Sequence, residues 1–266
     1  MSKEMYIKVC DFLMFANLFG EKKGKPTVVM DAGYGDYSKG WNAIISDISL
    51  LTEVIVFDRA GLGRSEPSSN PRNSREMVKE LKELLDKLNI IPPYILVGHS
   101  FGGVNARLFA SNYPENVCGL LLVDSTPEDY RERFLPTMSE EFQEAYNKQF
   151  VHEGNYEEFM QSLNQLKEDQ KKLNIPLIVL SAGKKNHYSS KSQDLWNTMQ
   201  EELLQISSIS EFIIAEDSTH YIQNDEPALV VDAIRRLIEN RYAGCSTSIH
   251  TSFTKDYICL SNKILK

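Results

Sequence analysis

YILVGHSFGG (residues 94–103) carries a Gly-x-Ser-x-Gly pattern directly after a short apolar run. The residues that follow have the character of a helix, so the pattern falls between a predicted strand and a predicted helix. A serine on such a sharp turn needs small neighbours, because larger side chains would block the backbone. The turn also brings the serine hydroxyl to a helix N-terminus, whose field favours negative charge. We therefore interpret Ser100 as a candidate nucleophile.

Similar apolar runs, rich in β-branched residues, recur along the chain and predict strands that are buried on both faces. Two stretches with helical apolar spacing, 73–89 and 226–240, lie among them. Alternating strands and helices predict an α/β fold, with a mostly parallel sheet covered by helices on both faces. Residues before Thr27 could add antiparallel strands at one edge. The other predicted strands are TVVM (27–30), EVIVFD (53–58), GLLLVD (119–124), PLIVLSAG (176–183) and EFIIAE (211–216).

Composition narrows the class of function. The 266 residues include 29 basic and 37 acidic side chains, a net charge of −8, which argues against a dedicated nucleic-acid-binding protein. The four cysteines show no Cys-x-x-Cys spacing, so we expect neither a zinc site nor a disulfide framework. A half-match to a dinucleotide fingerprint in GYGDYS has Ser38 in place of its third glycine, and we expect no cofactor. The apolar run from Phe12 to Phe19 is too short to span a bilayer, and we expect a cytoplasmic protein.

One long stretch interrupts the alternation of strands and helices. Residues 126–175 show no clear strand and carry eleven acidic and six basic residues. An excursion of this length should form helices over the end of the sheet where the strands terminate. We therefore expect a core of residues 1–125 and 176–242, a helical lid at 126–175 whose negative charge disfavours anionic substrates, and a tail at 243–266.

A serine hydroxyl needs a base and a group that orients that base. Of the five histidines, His220 follows the last predicted strand and precedes the final helix, which makes it the candidate base. Asp124 ends the strand after the serine turn and is our preferred acid, giving the chain order Ser100, Asp124, His220. The alternative acid is Asp194, the first carboxylate in the loop after the next strand.

Five motifs together resemble the α/β-hydrolase superfamily over roughly residues 25–240. In chain order they resemble the family's oxyanion strand and loop, its arginine-glycine turn, its nucleophile elbow, the strand before its lid and its histidine loop. The resemblance implies backbone N–H donors for an oxyanion at Tyr34 and Phe101. Asp31 stands where relatives commonly carry histidine, and Asp58 and Arg59 should stabilise the arginine-glycine turn. The motifs are VVMDAGYG (28–35), DRAGLGRSEP (58–67), GHSFGG (98–103), GLLLVDS (119–125) and STHYIQNDEP (218–227).

These residues predict a serine hydrolase that cleaves a small carboxylic ester through an acyl-enzyme on Ser100, with a small-molecule acyl substrate and no metal. Epoxide hydrolases and haloalkane dehalogenases of this superfamily need a carboxylate where this chain has serine. The same triad could also serve carbon–carbon bond hydrolysis or perhydrolysis. A non-catalytic ligand-binding or sensing protein is the alternative from another class.

Overall fold

An eight-stranded sheet forms the centre of the computed structural model, which describes residues 2–239. The strand order is β1-β2-β4-β3-β5-β6-β7-β8. The strands from β4 across to β8 are parallel, and β1 and β2 form an antiparallel hairpin at the edge next to β4. The strands are β1 (Ser2–Val9), β2 (Phe12–Phe19), β3 (Thr27–Asp31), β4 (Val54–Phe57), β5 (Tyr94–His99), β6 (Val117–Val123), β7 (Leu173–Ala182) and β8 (Ser207–Ala215).

Helices follow the strands as the sequence pattern predicts. Asn73 caps the second helix by accepting a hydrogen bond from the Glu76 backbone, and Pro227 occupies the first turn of the last helix. The helices are α1 (Asn42–Leu51), α2 (Ser74–Lys87), α3 (Phe101–Asn112), α4 (Tyr130–Arg133), α5 (Glu140–Asn147), α6 (Tyr156–Asp169), α7 (Ser190–Glu202), α8 (Ile222–Asp225) and α9 (Pro227–Ile238).

Both faces of the parallel strands are buried. In β3 and β5, neighbouring residues alternate between two apolar clusters: Val29 and Leu96 belong to one, Val28 and Val97 to the other. The first cluster includes residues of α2, α3 and α6, and the second includes residues of α1 and α9. Helices therefore cover the sheet on both sides, which explains why its strands are continuous apolar runs rather than alternating ones.

The predicted boundary of the insertion needs a correction. Strand β7 begins at Leu173, three residues inside the range 126–175 that the sequence left without a strand. The exposed Asn174 interrupts the apolar run, but Leu173 is buried in the main core and pairs with Ser207 of β8. We call residues 125–172 the helical insertion. The predicted tail, 243–266, lies outside the described residues.

Apolar side chains of the helical insertion pack on two parts of the rest of the protein. Tyr130, Phe134 and Met138 form an apolar cluster with Trp196 and Met199 of α7. Helix α6 joins the main core through side chains such as Phe159 and Leu163. Within residues 2–239, no helix is long and apolar enough to cross a membrane.

Candidate active site

Ser100 lies at the turn between β5 and α3 with a backbone φ of 51° and ψ of −118°, a conformation that L-residues rarely adopt. The flanking glycines make this turn possible. A Cβ on Gly98 would lie 2.5 Å from the Gly103 Cα, and one on Gly102 would overlap the backbone carbonyl of Asp31. The strained turn presents the Ser100 side chain to a cavity at the carboxyl ends of the strands.

His220 contacts the buried carboxylate of Asp124. Its Nδ1 lies 2.6 Å from Asp124 Oδ2. Because an ionised carboxylate can only accept hydrogen bonds, Nδ1 carries the proton and the other ring nitrogen, Nε2, is left as a base. The His220 side chain is 37% exposed and lines the same cavity as Ser100, whereas the Asp124 side chain is inaccessible.

Three further groups hold the Asp124 carboxylate. Trp196 Nε1 and the Ala182 backbone N–H donate to Oδ1 at 2.6 Å and 3.0 Å. Lys185 Nζ lies 2.5 Å from Oδ2, the oxygen that His220 also contacts. Burial by itself would raise the pKa of the Asp124 carboxyl, but Lys185 and His220 outweigh it and hold that pKa below its usual range.

Lys185 is a site residue that the sequence reasoning missed. It sits in the loop after β7, and its side chain is only 8% exposed. Its ammonium lies 3.5 Å from the centre of the Trp196 ring. Burial lowers the pKa of Lys185 to about 8, although Asp124 opposes the shift. The only signal in the sequence was the position of a lysine directly after a strand, at the carboxyl edge of the sheet.

The alternative acid, Asp194, does not approach His220. It lies on α7 with an exposed side chain, and its backbone carbonyl accepts a hydrogen bond from Thr198 Oγ1. The loop between β7 and α7 does return to the site, but it brings a lysine to it rather than a carboxylate.

The two proposed oxyanion donors lie at the cavity. Phe101 is the first residue of α3 and Tyr34 belongs to the loop after β3; both line the cavity with Ser100. The Tyr34 ring is fixed by the helical insertion, because its hydroxyl donates to the Gly154 carbonyl at 2.8 Å and accepts from the Gly154 N–H at 3.0 Å. The loop and the insertion therefore hold each other.

Asp58 stabilises the arginine-glycine turn as expected, by accepting hydrogen bonds from the backbone N–H groups of Ser38 and Arg64. Arg59 does something different from the prediction. Its buried guanidinium leaves that turn and donates to the carbonyls of Ala32 and Gly33, at 2.8 Å and 2.6 Å.

Arg59 pairs with two buried carboxylates, Asp31 and Glu153. Asp31 is the residue found where relatives commonly carry histidine, and here it serves as a counter-ion at the end of β3. Glu153 belongs to the helical insertion and also accepts from the Gly35 N–H at 3.2 Å. Burial lowers the pKa of Arg59, but Glu153 and Asp31 outweigh it, and the net shift is upward.

The remaining histidines play other parts. His99 is buried beside the elbow, as expected, and its Nε2 lies 2.9 Å from the His220 carbonyl oxygen. Burial lowers the pKa of His99 to about 3, so the ring stays neutral. His187 lines the cavity, and His152 lies beside Gly35 of the loop after β3. His250 lies outside the described residues.

The cavity has a volume of about 470 Å³ and is walled mainly by aromatic side chains from the insertion, the loop after β7 and α7. A volume in this range suits a small molecule. No cluster of three or more potential metal ligands occurs within residues 2–239. The main aromatic residues are Tyr130, Phe142, Tyr146, Phe159, Tyr188 and Trp196.

A central parallel sheet, a strained serine elbow and a histidine loop after the last strand define an α/β hydrolase. The family model for the alpha/beta hydrolase fold matches residues 26–231, and the chain belongs to this family. A relative from Bacillus subtilis, the uncharacterized protein YqjL, is 36% identical over 210 residues, which cover 78% of this chain and 81% of YqjL. Mouse epoxide hydrolase 4 is 25% identical over 61% of this chain, which spans only 46% of that enzyme.

Solved structures with the same fold include enzymes of several kinds. The enol-lactonase from Burkholderia xenovorans superposes with a TM-score of 0.65 and 16% identity, covering 88% of this chain and all of the lactonase. The carboxylesterase CesB from Bacillus subtilis superposes with a TM-score of 0.62 and 16% identity, covering 89% of this chain and 91% of CesB. At these identities the likeness concerns the fold alone.

Proposed function

We propose that the protein is a serine hydrolase that cleaves a small carboxylic ester, with Ser100 as nucleophile, His220 as base and Asp124 as the acid that orients it. The observation that carries this proposal is the contact of His220 Nδ1 with the buried Asp124 carboxylate, at a cavity that Ser100 also lines. The same fold occurs in a carboxylesterase and an enol-lactonase, so it is compatible with an acyl substrate.

In the proposed reaction, Ser100 Oγ attacks the ester carbonyl and His220 Nε2 takes its proton. The oxyanion lies against the backbone N–H groups of Tyr34 and Phe101. His220 then returns the proton to the departing alcohol, which leaves an acyl group on Ser100. Water, deprotonated by the same nitrogen, attacks the acyl-enzyme and releases the acid.

Epoxide hydrolases among the relatives raise a different possibility, epoxide opening. That chemistry in this superfamily uses an elbow carboxylate that forms an alkyl ester, whereas this elbow carries a hydroxyl. Asp124 cannot substitute for the missing carboxylate as nucleophile, because its side chain is inaccessible and both oxygens are occupied by donors. The elbow therefore favours an ester over an epoxide as substrate.

Ser100→Ala tests the proposal. It should lower turnover of short-chain nitrophenyl esters by at least about three orders of magnitude, because nucleophile and base act as a unit. It should also abolish labelling by a fluorophosphonate probe. Ser125→Ala is the matched control: its hydroxyl is buried and makes no hydrogen bond within the described residues, so its loss should leave both readouts nearly unchanged.

The outcomes separate the alternatives. Stoichiometric labelling of the wild type without ester turnover would support Ser100 as the nucleophile but contradict an ester substrate, and would favour another acyl bond or a carbon–carbon bond. A folded wild-type protein that neither reacts with the probe nor hydrolyses any ester of the panel would overturn the proposal and favour a ligand-binding protein.

A further inference from the structure

The buried ammonium of Lys185 has no assigned part in a serine, histidine and aspartate mechanism. It lies 2.5 Å from Asp124 Oδ2, and His220 Nδ1 lies 2.6 Å from the same oxygen. Lys185 also lines the cavity. A cation and an imidazole therefore share one oxygen of a carboxylate that is itself inaccessible to solvent.

This sharing changes what Asp124 can do for His220. An aspartate at this position usually supplies an unopposed negative charge, which stabilises the imidazolium that forms when the histidine takes a proton. Here the negative charge is already balanced by a cation in direct contact. An imidazolium at His220 would lie close to that cation, and burial makes the repulsion stronger than it would be in water.

We propose that Lys185 is a positioning residue that acts through Asp124 and sets the lower pH limit of the site, by disfavouring protonation of His220. The inference rests on the proposed function insofar as it concerns turnover. Its structural part, the effect of Lys185 on the titration of His220, does not depend on the substrate.

Other titratable groups around the pair do not supply this effect. The His99 ring packs against the His220 ring at a tilt of 48°, with ring centres 4.7 Å apart, but burial lowers the pKa of His99 to about 3 and keeps it neutral. Tyr188 lies beside the ammonium and Tyr130 lies across the cavity; burial raises the pKa of both phenols, so they also stay neutral. Tyr221 has its ring centre 5.6 Å from that of His220, and burial raises the pKa of its phenol, so it stays neutral. His187 lines the cavity from the same loop as Lys185, but its side chain is exposed and water screens its charge.

Packing also indicates a site built for a cation. Lys185 lies over the Trp196 ring at 3.5 Å and over the Tyr188 ring at 5.0 Å. Aromatic faces stabilise an ammonium that has lost its water. Trp196 at the same time donates to Asp124 Oδ1, so α7 presents one side chain that holds both members of the ion pair.

The test compares Lys185→Gln, which keeps a hydrogen-bond donor but removes the charge, with Lys185→Arg, which keeps the charge. The primary readout is the NMR titration of the His220 ring in protein with isotope-labelled histidine, assigned with a His220→Gln variant. In Lys185→Gln the ring should titrate about one pH unit higher than in the wild type, as expected for the loss of one nearby charge. In Lys185→Arg it should titrate near the wild-type position.

A matched control removes the same charge from the neighbouring position. Lys184 has an exposed side chain in the same loop, so Lys184→Gln should leave the titration of His220 within about 0.2 unit of the wild type, because water screens exposed charges. If Lys185→Gln fails to fold, Lys185→Met, which packs against Trp196 without a charge, takes its place. A titration in either neutral variant that coincides with the wild type would overturn the inference.

Activity provides the second readout. The acid limb of kcat/KM for a nitrophenyl ester, or of the rate of fluorophosphonate labelling, should move upward by the same amount as the NMR titration. A protein that does not react at all would contradict the proposed function but leave the NMR result as a test of Lys185. A shift in kcat/KM at every pH without movement of the limb would show that Lys185 only holds the fold.

Discussion

Four donors converge on the Asp124 carboxylate, which lies directly after β6 with a backbone φ of 44°. Two of them, Trp196 and Ala182, hold Oδ1 and so fix the plane of the carboxylate. That plane aims Oδ2 at His220. A substitution that removes the charge of Asp124 but keeps the shape of its side chain should therefore change both the orientation and the tautomer of the His220 ring.

Asp124→Asn should lower kcat for ester hydrolysis by about three to four orders of magnitude, because an amide can donate to Nδ1 and favour the wrong tautomer. Asp194→Asn should change kcat by less than about threefold, as expected for an exposed helix residue. Steady-state kinetics of both variants, with circular dichroism to show that each is folded, make the comparison. A mild effect of the first change and a severe effect of the second would assign the acid to α7.

At this scale the sequence could place Ser100, Asp124 and His220 at one edge of the sheet, because each follows a predicted strand. It could not find Lys185. A lysine among polar loop residues ordinarily keeps its ammonium in water. Only the path of residues 183–189 places the Lys185 ammonium against the face of the Trp196 ring. The pattern of strand ends carries no information about the path of this loop, because that path depends on packing against α7 and the helical insertion.

At the scale of elements, the loop after β3 and the helical insertion are joined by buried charge. Arg59 donates to two carbonyls of the loop and pairs with Glu153 of the insertion, while the Tyr34 hydroxyl bonds both polar backbone groups of Gly154. The loop that supplies a proposed oxyanion donor is thus positioned by a segment far away in the sequence.

Glu153→Gln should lower kcat by about tenfold with a smaller change in KM. Loss of an entire oxyanion donor costs about 10²–10³ in kcat, and a loop that is only loosened should lose part of this. Asp31 still pairs with Arg59 in the variant, which limits the effect on folding. Glu157→Gln, an exposed change on α6, is the control. Equal kcat values for the two variants would show that the pairing of Arg59 with Glu153 does not position the loop after β3.

At the scale of the whole molecule, the existence of the six parallel strands could be predicted, because strands buried on both faces are nearly continuous apolar runs. Their order in the sheet could not, since apolar runs do not say which strands are neighbours. The start of β7 could not, since the exposed Asn174 interrupts the apolar run there and hides the buried Leu173, which pairs with β8. The ion-pair partners of the insertion's acidic residues could not be predicted from the sequence either, because the tertiary fold decides which distant arginines they contact.

Several acids of the helical insertion face arginines of the core rather than the cavity. Glu128 pairs with Arg107, and Glu168 and Asp169 pair with Arg75. None of the cavity-lining residues is acidic within the described part of the chain. These three acids of the insertion therefore join it to the core, and the expectation that its negative charge disfavours anionic substrates stays a prediction.

These docking pairs should differ in their contribution to stability. The Arg107 side chain is inaccessible, whereas Arg75 is 42% exposed and Glu168 is 64% exposed. Glu128→Ala leaves a buried guanidinium without its carboxylate and should lower the free energy of unfolding by about 3 kcal/mol. Glu168→Ala breaks a solvated pair, leaves Asp169 on Arg75, and should cost less than about 1 kcal/mol.

Urea unfolding at low and at high salt measures the free energy of unfolding of both variants. Salt should reduce the small loss in Glu168→Ala and leave the large loss in Glu128→Ala. Equal losses for the two variants would mean that the Thr126 carbonyl, 3.4 Å from the Arg107 guanidinium, compensates the buried charge without Glu128.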